Sequence, residues 1–220
     1  MMASILFPKL VNLLSFIFLG TTFLLIVRRN LAGQVRLFAV QSIVLAVLAA
    51  LVAGFTRSLE LFAVAIAVVL LKGVVIPRVL NRAVTRIGLQ RSAAPYLETP
   101  ASLAICGLLV LLSFYVMAPL TDTNRLPTAD AIPLAFAGVL IGIFITIIRR
   151  RALTQILGFL MLENGIFLLA LLATYGVPFI VELGVFLDVL VAVLIMEVFI
   201  YKIKENFDSI EVDQLGKLKG

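Results

Sequence analysis

The 220-residue chain contains no histidine, and its single cysteine, Cys106, lies inside an apolar run. The missing histidine removes the commonest metal ligand and the commonest base at neutral pH. A lone cysteine cannot close an internal disulfide and has no partner for a thiolate metal site. Haem, iron–sulfur and zinc chemistry are therefore not expected within the chain, and neither a cofactor nor a metal site is predicted. Any proton chemistry must run on Glu, Asp, Lys, Tyr or water. Charge is scarce as well: 14% of residues are Asp, Glu, Lys or Arg, well below the usage of a soluble domain.

Apolar residues fill the space that charge leaves. They make up 63% of the chain, and the mean hydropathy is +1.20. A membrane-spanning helix needs roughly 20 mostly apolar residues. In lipid the backbone must satisfy its own hydrogen bonds, which favours helices. The sequence predicts an all-α integral membrane protein with seven transmembrane helices, over 8–27, 35–54, 59–80, 99–118, 131–148, 152–174 and 178–203. The first run has no small-residue cleavage site behind a short core and is read as a span, not as a removed signal peptide. The fourth span stands between two longer polar loops. The second of these, "PLTDTNRLPTADAIP", carries the Pro, Asp and Asn of a turn region.

The basic residues predict orientation. With seven spans the termini lie on opposite sides. The C-terminal side collects Arg28, Arg29, Arg36, Arg78, Arg82, Arg86, Arg91, Arg149, Arg150, Arg151, Lys202, Lys204, Lys217 and Lys219, fourteen of the 18 basic residues. The other side has Lys9, Arg57 and Arg125, and Lys72 lies within the third span. The N-terminus is thus expected outside and the C-terminus inside. This rule explains the net charge of +6 without nucleic acid, although basic loops also suit acidic lipid or a partner.

Two triplets of spans look alike. "VRRNLAGQVRLF" joins the first to the second, and "IRRRALTQILGF" joins the fifth to the sixth. Arg28/Arg149, Arg29/Arg150, Gln34/Gln155 and Phe38/Phe159 match at one offset of 121, and Glu60-Leu61/Glu182-Leu183 at 122. One linking helix after three makes the fifth span run in the direction of the first, so the expected repeats are parallel and related by an axis along the membrane normal. The expected organisation is a first three-helix repeat with a basic cytoplasmic loop over 1–98, a linking helix and outer loop over 99–130, a second repeat over 131–206 and a short tail over 207–220.

The acids differ between the halves. Opposite Glu163 the first half offers Gln41 or Ser42, and opposite Asp188 it has Ile66. Glu163 is about twelve residues into the sixth span and Asp188 about eleven into the seventh, so both fall near the bilayer midplane at 1.5 Å per residue. A charge at this depth is costly and by default functional. Burial raises a carboxyl's pKa and a nearby cation lowers it, so a carboxyl held between these pulls can exchange protons near neutral pH. Lys72, in "VVLLKGVVIP", is the candidate cation; Gly73 and Pro77 beside it are expected to loosen its helix. Glu60 and Glu182 read first as interfacial acids and second as further members of a proton path, and Glu197, in reach of cytoplasmic water, reads equally as either. Gly138 and Gly142 form a G-x-x-x-G pair that predicts close helix packing. Arg78, Arg82 and Arg86, at a spacing of four, predict one solvated or headgroup-facing side of a helical extension.

"GFLMLENGIFLLALL", preceded by a basic loop, resembles the small K subunit of complex I and the related C subunit of multisubunit sodium/proton antiporters. The resemblance covers about 131–203. Glu163 falls on the second-helix Glu of that family, and Asp188 on the third-helix acid, where complex I has Glu. Over the whole chain, "RRRALTQILGFLMLENGIFLLALL" and "VELGVFLDVLVAVLIMEVFIYKI" resemble component E of hydrogenase-4. The resemblance implies a membrane-arm subunit of a complex I-like, formate hydrogenlyase-type hydrogenase in a bacterial or archaeal inner membrane. Its neighbours would be antiporter-like and other membrane subunits, redox chemistry would lie on other chains, and Glu163, Asp188 and Lys72 would serve proton translocation. Two alternatives stand beside it: a freestanding proton-coupled solute transporter, and a non-conducting membrane scaffold.

Overall fold

Punctuation in the sequence decides where each helix begins and ends in the computed structural model, which describes residues 2–28, 30–86, 97–123, 126–150 and 152–175. Helix α1 (Met2–Val27) runs into the basic stretch at Arg28. Asn30, extended at φ −87° and ψ 123°, caps α2 (Leu31–Thr56) by accepting the Ala32 N–H at 3.0 Å. Its side-chain oxygen satisfies one of the donors a helix start leaves open. Arg57 ends α2 in the left-handed region at φ 54°. Ser58 follows at once and caps α3 (Leu59–Val68) by accepting the Leu61 N–H at 3.2 Å.

Helix α3 does not stop at Val68. It widens into a π turn over Val69–Val75 and resumes as α4 (Ile76–Arg86). Pro77 has no N–H to return to the preceding turn, and Gly73 lowers the cost of a wider backbone. The loosening expected from these two residues is thus a π segment, and Lys72 sits inside it. Helix α5 covers Thr99–Thr123. A short 3-10 turn over Ala129–Ala131 leads into α6 (Ile132–Ile148), with Pro133 in its first turn, where its missing N–H costs nothing. Helix α7 covers Ala152–Thr174.

Among the described residues six helical stretches are long and apolar enough to cross a membrane: Leu6–Val27, Leu31–Thr56, Leu59–Arg82, Thr99–Asp122, Ala129–Ile148 and Leu153–Thr174. They coincide with the first six predicted spans. Several run further than the apolar core alone suggests, because capped ends such as Asn30 carry the helix into interfacial sequence. The span predicted over 178–203, with Glu182, Asp188 and Glu197, lies outside the described residues.

The interior is built by α1, α2, α3, α6 and α7. Phe18, Leu45, Leu48, Ile132, Leu168 and Leu172 are buried in one cluster. Glycine sets the closest approach, between α6 and α7. A Cβ on Gly142 would stand 2.6 Å from the Leu162 Cα, and one on Gly158 would stand 2.8 Å from the Thr146 backbone nitrogen. Small residues let backbones meet where lipid supplies no hydrophobic drive. Gly138, the other half of the predicted pair, faces the Phe18 ring on α1. Helix α5 packs on α6 and α1 but leaves Leu108, Leu111 and Tyr115 exposed.

Candidate functional site

Lys72 and Glu163 are buried to 1% and 3% exposure, and the ammonium lies 3.7 Å from Glu163 Oε1. The two spans run in opposite directions, yet each residue lies about ten residues, roughly 15 Å, from the arginine-bearing end of its span. Gln41 on α2 lies at the same depth by the same count. Polar groups from three helices therefore meet in one layer near mid-membrane.

Tight α6–α7 packing orients the acid's neighbour. Gly158, Leu162 and Gly165 face α6. Asn164 is two residues on from Leu162, about 200° round the helix, and so turns toward α2. It is fully buried. Its Oδ1 accepts from the Lys72 ammonium at 3.1 Å. Its Nδ2 donates to Gln41 Oε1 and to Ser42 Oγ, each at 3.2 Å. Gln41 Nε2 donates to Thr22 Oγ1 at 2.8 Å, and Thr22 donates to the Phe18 carbonyl at 3.1 Å. Ser42 donates to the Phe38 carbonyl at 2.9 Å. Asn164, Gln41, Ser42 and Thr22 are thus all hydrogen-bonded, as a low-dielectric interior requires.

Gln41 and Ser42 are the residues the sequence sets opposite Glu163. The structure brings both against Asn164, the next residue after that acid, at separations of 123 and 122. A second pair behaves alike: Gln34 Nε2 donates to the Arg28 carbonyl at 2.6 Å, and Gln155 Nε2 to the Arg149 carbonyl at 2.8 Å.

Arg149 is a residue that sequence reasoning places in a cytoplasmic loop. It is 3% exposed, and its Nη2 points at the Leu25 and Ile26 carbonyls, 3.4 Å from each. A cation at the C-terminal end of α1 meets the negative end of its dipole. Burial pulls the guanidinium's pKa below its ordinary value, and a guanidinium stays charged regardless. Three consecutive arginines gave no signal as to which would turn inward.

Of the residues predicted for a proton path, Lys72 and Glu163 are thus together. Glu60 is apart from them, exposed in the first turn of α3, where an acid suits the helix N-terminus. Asp188, Glu182 and Glu197 lie outside the described residues. Arg78 and Arg82 are exposed on α4, while Ile76, Leu80 and Val84 are buried on its other side.

Six membrane-capable helices with an ion pair among their buried side chains define a multi-pass membrane protein. The chain belongs to the family of the uncharacterized protein Rv0085 of Mycobacterium tuberculosis (strain ATCC 25618 / H37Rv), with 41% identity over 197 residues, 89% of this chain and 90% of that one. It is also a distant homologue of hydrogenase-4 component E. Identity to that protein from Escherichia coli (strain K12), and likewise from Shigella flexneri, is 28% over 184 residues, 83% of this chain and 85% of the relative. No family model matches the chain, and no solved structure matches it.

Proposed function

We propose that this protein is a membrane-arm subunit of a complex I-like hydrogenase of the formate hydrogenlyase type, and that Glu163 is a station for protons crossing that arm. The observation that carries the reading is the buried Lys72–Glu163 pair at mid-depth in a homologue of hydrogenase-4 component E. Desolvating each ion costs several kcal/mol, and apolar side chains of similar volume often hold helices together as well. Packing therefore gives no reason to keep the pair, whereas a carboxyl beside a cation at this depth is suited to proton exchange.

The wider architecture belongs to the same proposal. The chain has seven spans, its N-terminus outside and its basic loops in the cytoplasm of a bacterial or archaeal cell. Spans one to three and five to seven are parallel repeats. The shared Gln–carbonyl bond of Gln34 and Gln155 supports this, as does the meeting of Asn164 with Gln41 and Ser42, the residues opposite its neighbour Glu163, since a segment lies against its counterpart segment only near the axis relating them. Asp188 continues the charge line, and antiporter-like subunits take it onward.

The test is Glu163→Gln in the assembled complex. The amide keeps the shape and accepts hydrogen bonds but cannot ionise. Assembly, read on native gels, is expected to persist while proton uptake into inverted vesicles, per turnover of the complex, falls. Unchanged uptake overturns the proton role and leaves a scaffold. A chain that purifies without partners and moves a solute in liposomes overturns the subunit reading in favour of a transporter.

A further inference from the structure

Asn164 has an acceptor on one side and donors on the other, and its surroundings dictate which way round it sits. Lysine ammonium groups only donate, so the atom facing Lys72 must be the oxygen. The opposite end of the chain gives the same answer independently. Thr22 uses its hydroxyl proton on the Phe18 carbonyl, so toward Gln41 it can only accept. Gln41 must therefore turn its NH2 to Thr22 and its oxygen to Asn164, which must answer with its own NH2. Ser42, with its proton committed to the Phe38 carbonyl, makes the same demand. All three directions agree, and they leave Asn164 Oδ1 fixed toward the α3 π turn.

We infer that Asn164 is a positioning residue: it gives the Lys72 ammonium a second, uncharged seat beside Glu163, and the Gln41–Thr22 and Ser42 bonds keep that seat facing the lysine. This rests on the reading of Glu163 as a proton station. The distances fit the assignment. The amide contact is a hydrogen bond at 3.1 Å, and the carboxylate contact at 3.7 Å is a looser ion pair. A lysine tethered to the carboxylate alone would lose its partner on α7 each time Glu163 became neutral, in a place where a lone ammonium is costly. With Asn164 as a second seat, the lysine keeps a partner and a fixed position in both states of the acid. The seat works only while its oxygen is held outward, which gives Thr22, one helix beyond any contact with Lys72, a share in the task.

The experiment uses the full complex in inverted vesicles, with proton uptake per turnover normalised to assembled complex. Asn164→Leu removes the seat, and uptake is expected to fall by roughly tenfold or more, since a misplacement of about 1 Å at a reacting pair can cost about a hundredfold. Thr22→Val, nearly the same shape without the hydroxyl, is expected to produce a smaller fall in the same direction with unchanged assembly; a purely structural Thr22 would alter assembly and not uptake per complex. In a Lys72→Met background, Asn164→Leu should add no further loss. Parent-like uptake in Asn164→Leu, or full additivity with Lys72→Met, overturns the inference. Glu163→Gln is run alongside to score the underlying reading separately. If it pumps like the parent, the positioning claim is judged on thermal stability instead. A Lys72→Met/Asn164→Leu double-mutant cycle must then be non-additive, and additivity rejects it.

Discussion

Lys72 leans from a π turn onto Glu163 in the middle of an uninterrupted α-helix, 3.7 Å away, with both groups closed off from the surface. The relationship depends on both backbones. A π turn rotates its residues out of α register, and such turns occur frequently at functional sites. Glycines on the other side of α7 hold that helix hard against α6.

Removing one member of the pair takes away the opposite charge that the other faces at 3.7 Å. Glu163→Leu and Lys72→Met are each expected to lower the stability of the purified complex by about 3–5 kcal/mol. The double variant should lose less than either single one, because no lone charge remains. Thermal unfolding of the four proteins measures this, and a double variant that is the sum of the singles would show that the pair is not a stability unit.

The α6–α7 contact gives a sharper contrast. Gly142→Ala and Gly158→Ala push a methyl into backbone atoms of the facing helix and are expected to cost about 1–3 kcal/mol. Gly20→Ala and Gly107→Ala meet nothing within 4 Å and should be neutral or slightly stabilising. Equal melting temperatures for all four variants would contradict the close approach.

Arg149 caps α1 from another helix, so its loss should be felt at a distance. Arg149→Leu is expected to destabilise by about 1–2 kcal/mol, the worth of a partly buried cation at a helix C-terminus. Hydrogen exchange should quicken at the amides around Leu25 and Ile26. Arg36→Leu, exposed on α2, is the control and should stay within about 0.5 kcal/mol.

Orientation is testable with single cysteines. Cys106 is buried, and Cys106→Ala provides a thiol-free background. In that background Asp122→Cys should react with an impermeant maleimide from outside, and Arg150→Cys only in inverted vesicles. Both reacting from one side would refute the proposed topology.

Much of this arrangement was open to inspection in the sequence because lipid imposes simple demands. Apolar runs of sufficient length gave the six described spans, and depth in the membrane singled out Lys72 and Glu163 as buried charges without deciding which acid the lysine meets. Gly73 and Pro77 marked the weakened turn. Three things were not readable. The inward turn of Arg149 depends on where α1 ends in space. Asn164 carries no charge to mark it in the sequence, yet it bonds Lys72 and the α2 amide. Gly158 and Gly165 fall outside the G-x-x-x-G spacing and acquire their role only once α6 is opposite. Each of these depends on which helix faces which, and periodicity does not encode that.

The chain from Asn164 through Gln41 to Thr22 has one more property. Side-chain amides neither gain nor release a proton at any ordinary pH, and the last hydroxyl is committed to a backbone carbonyl. The chain therefore behaves as an insulator. It holds the ammonium firmly while offering no proton conductor toward α1, so the route proposed through Glu163 does not run along these side chains.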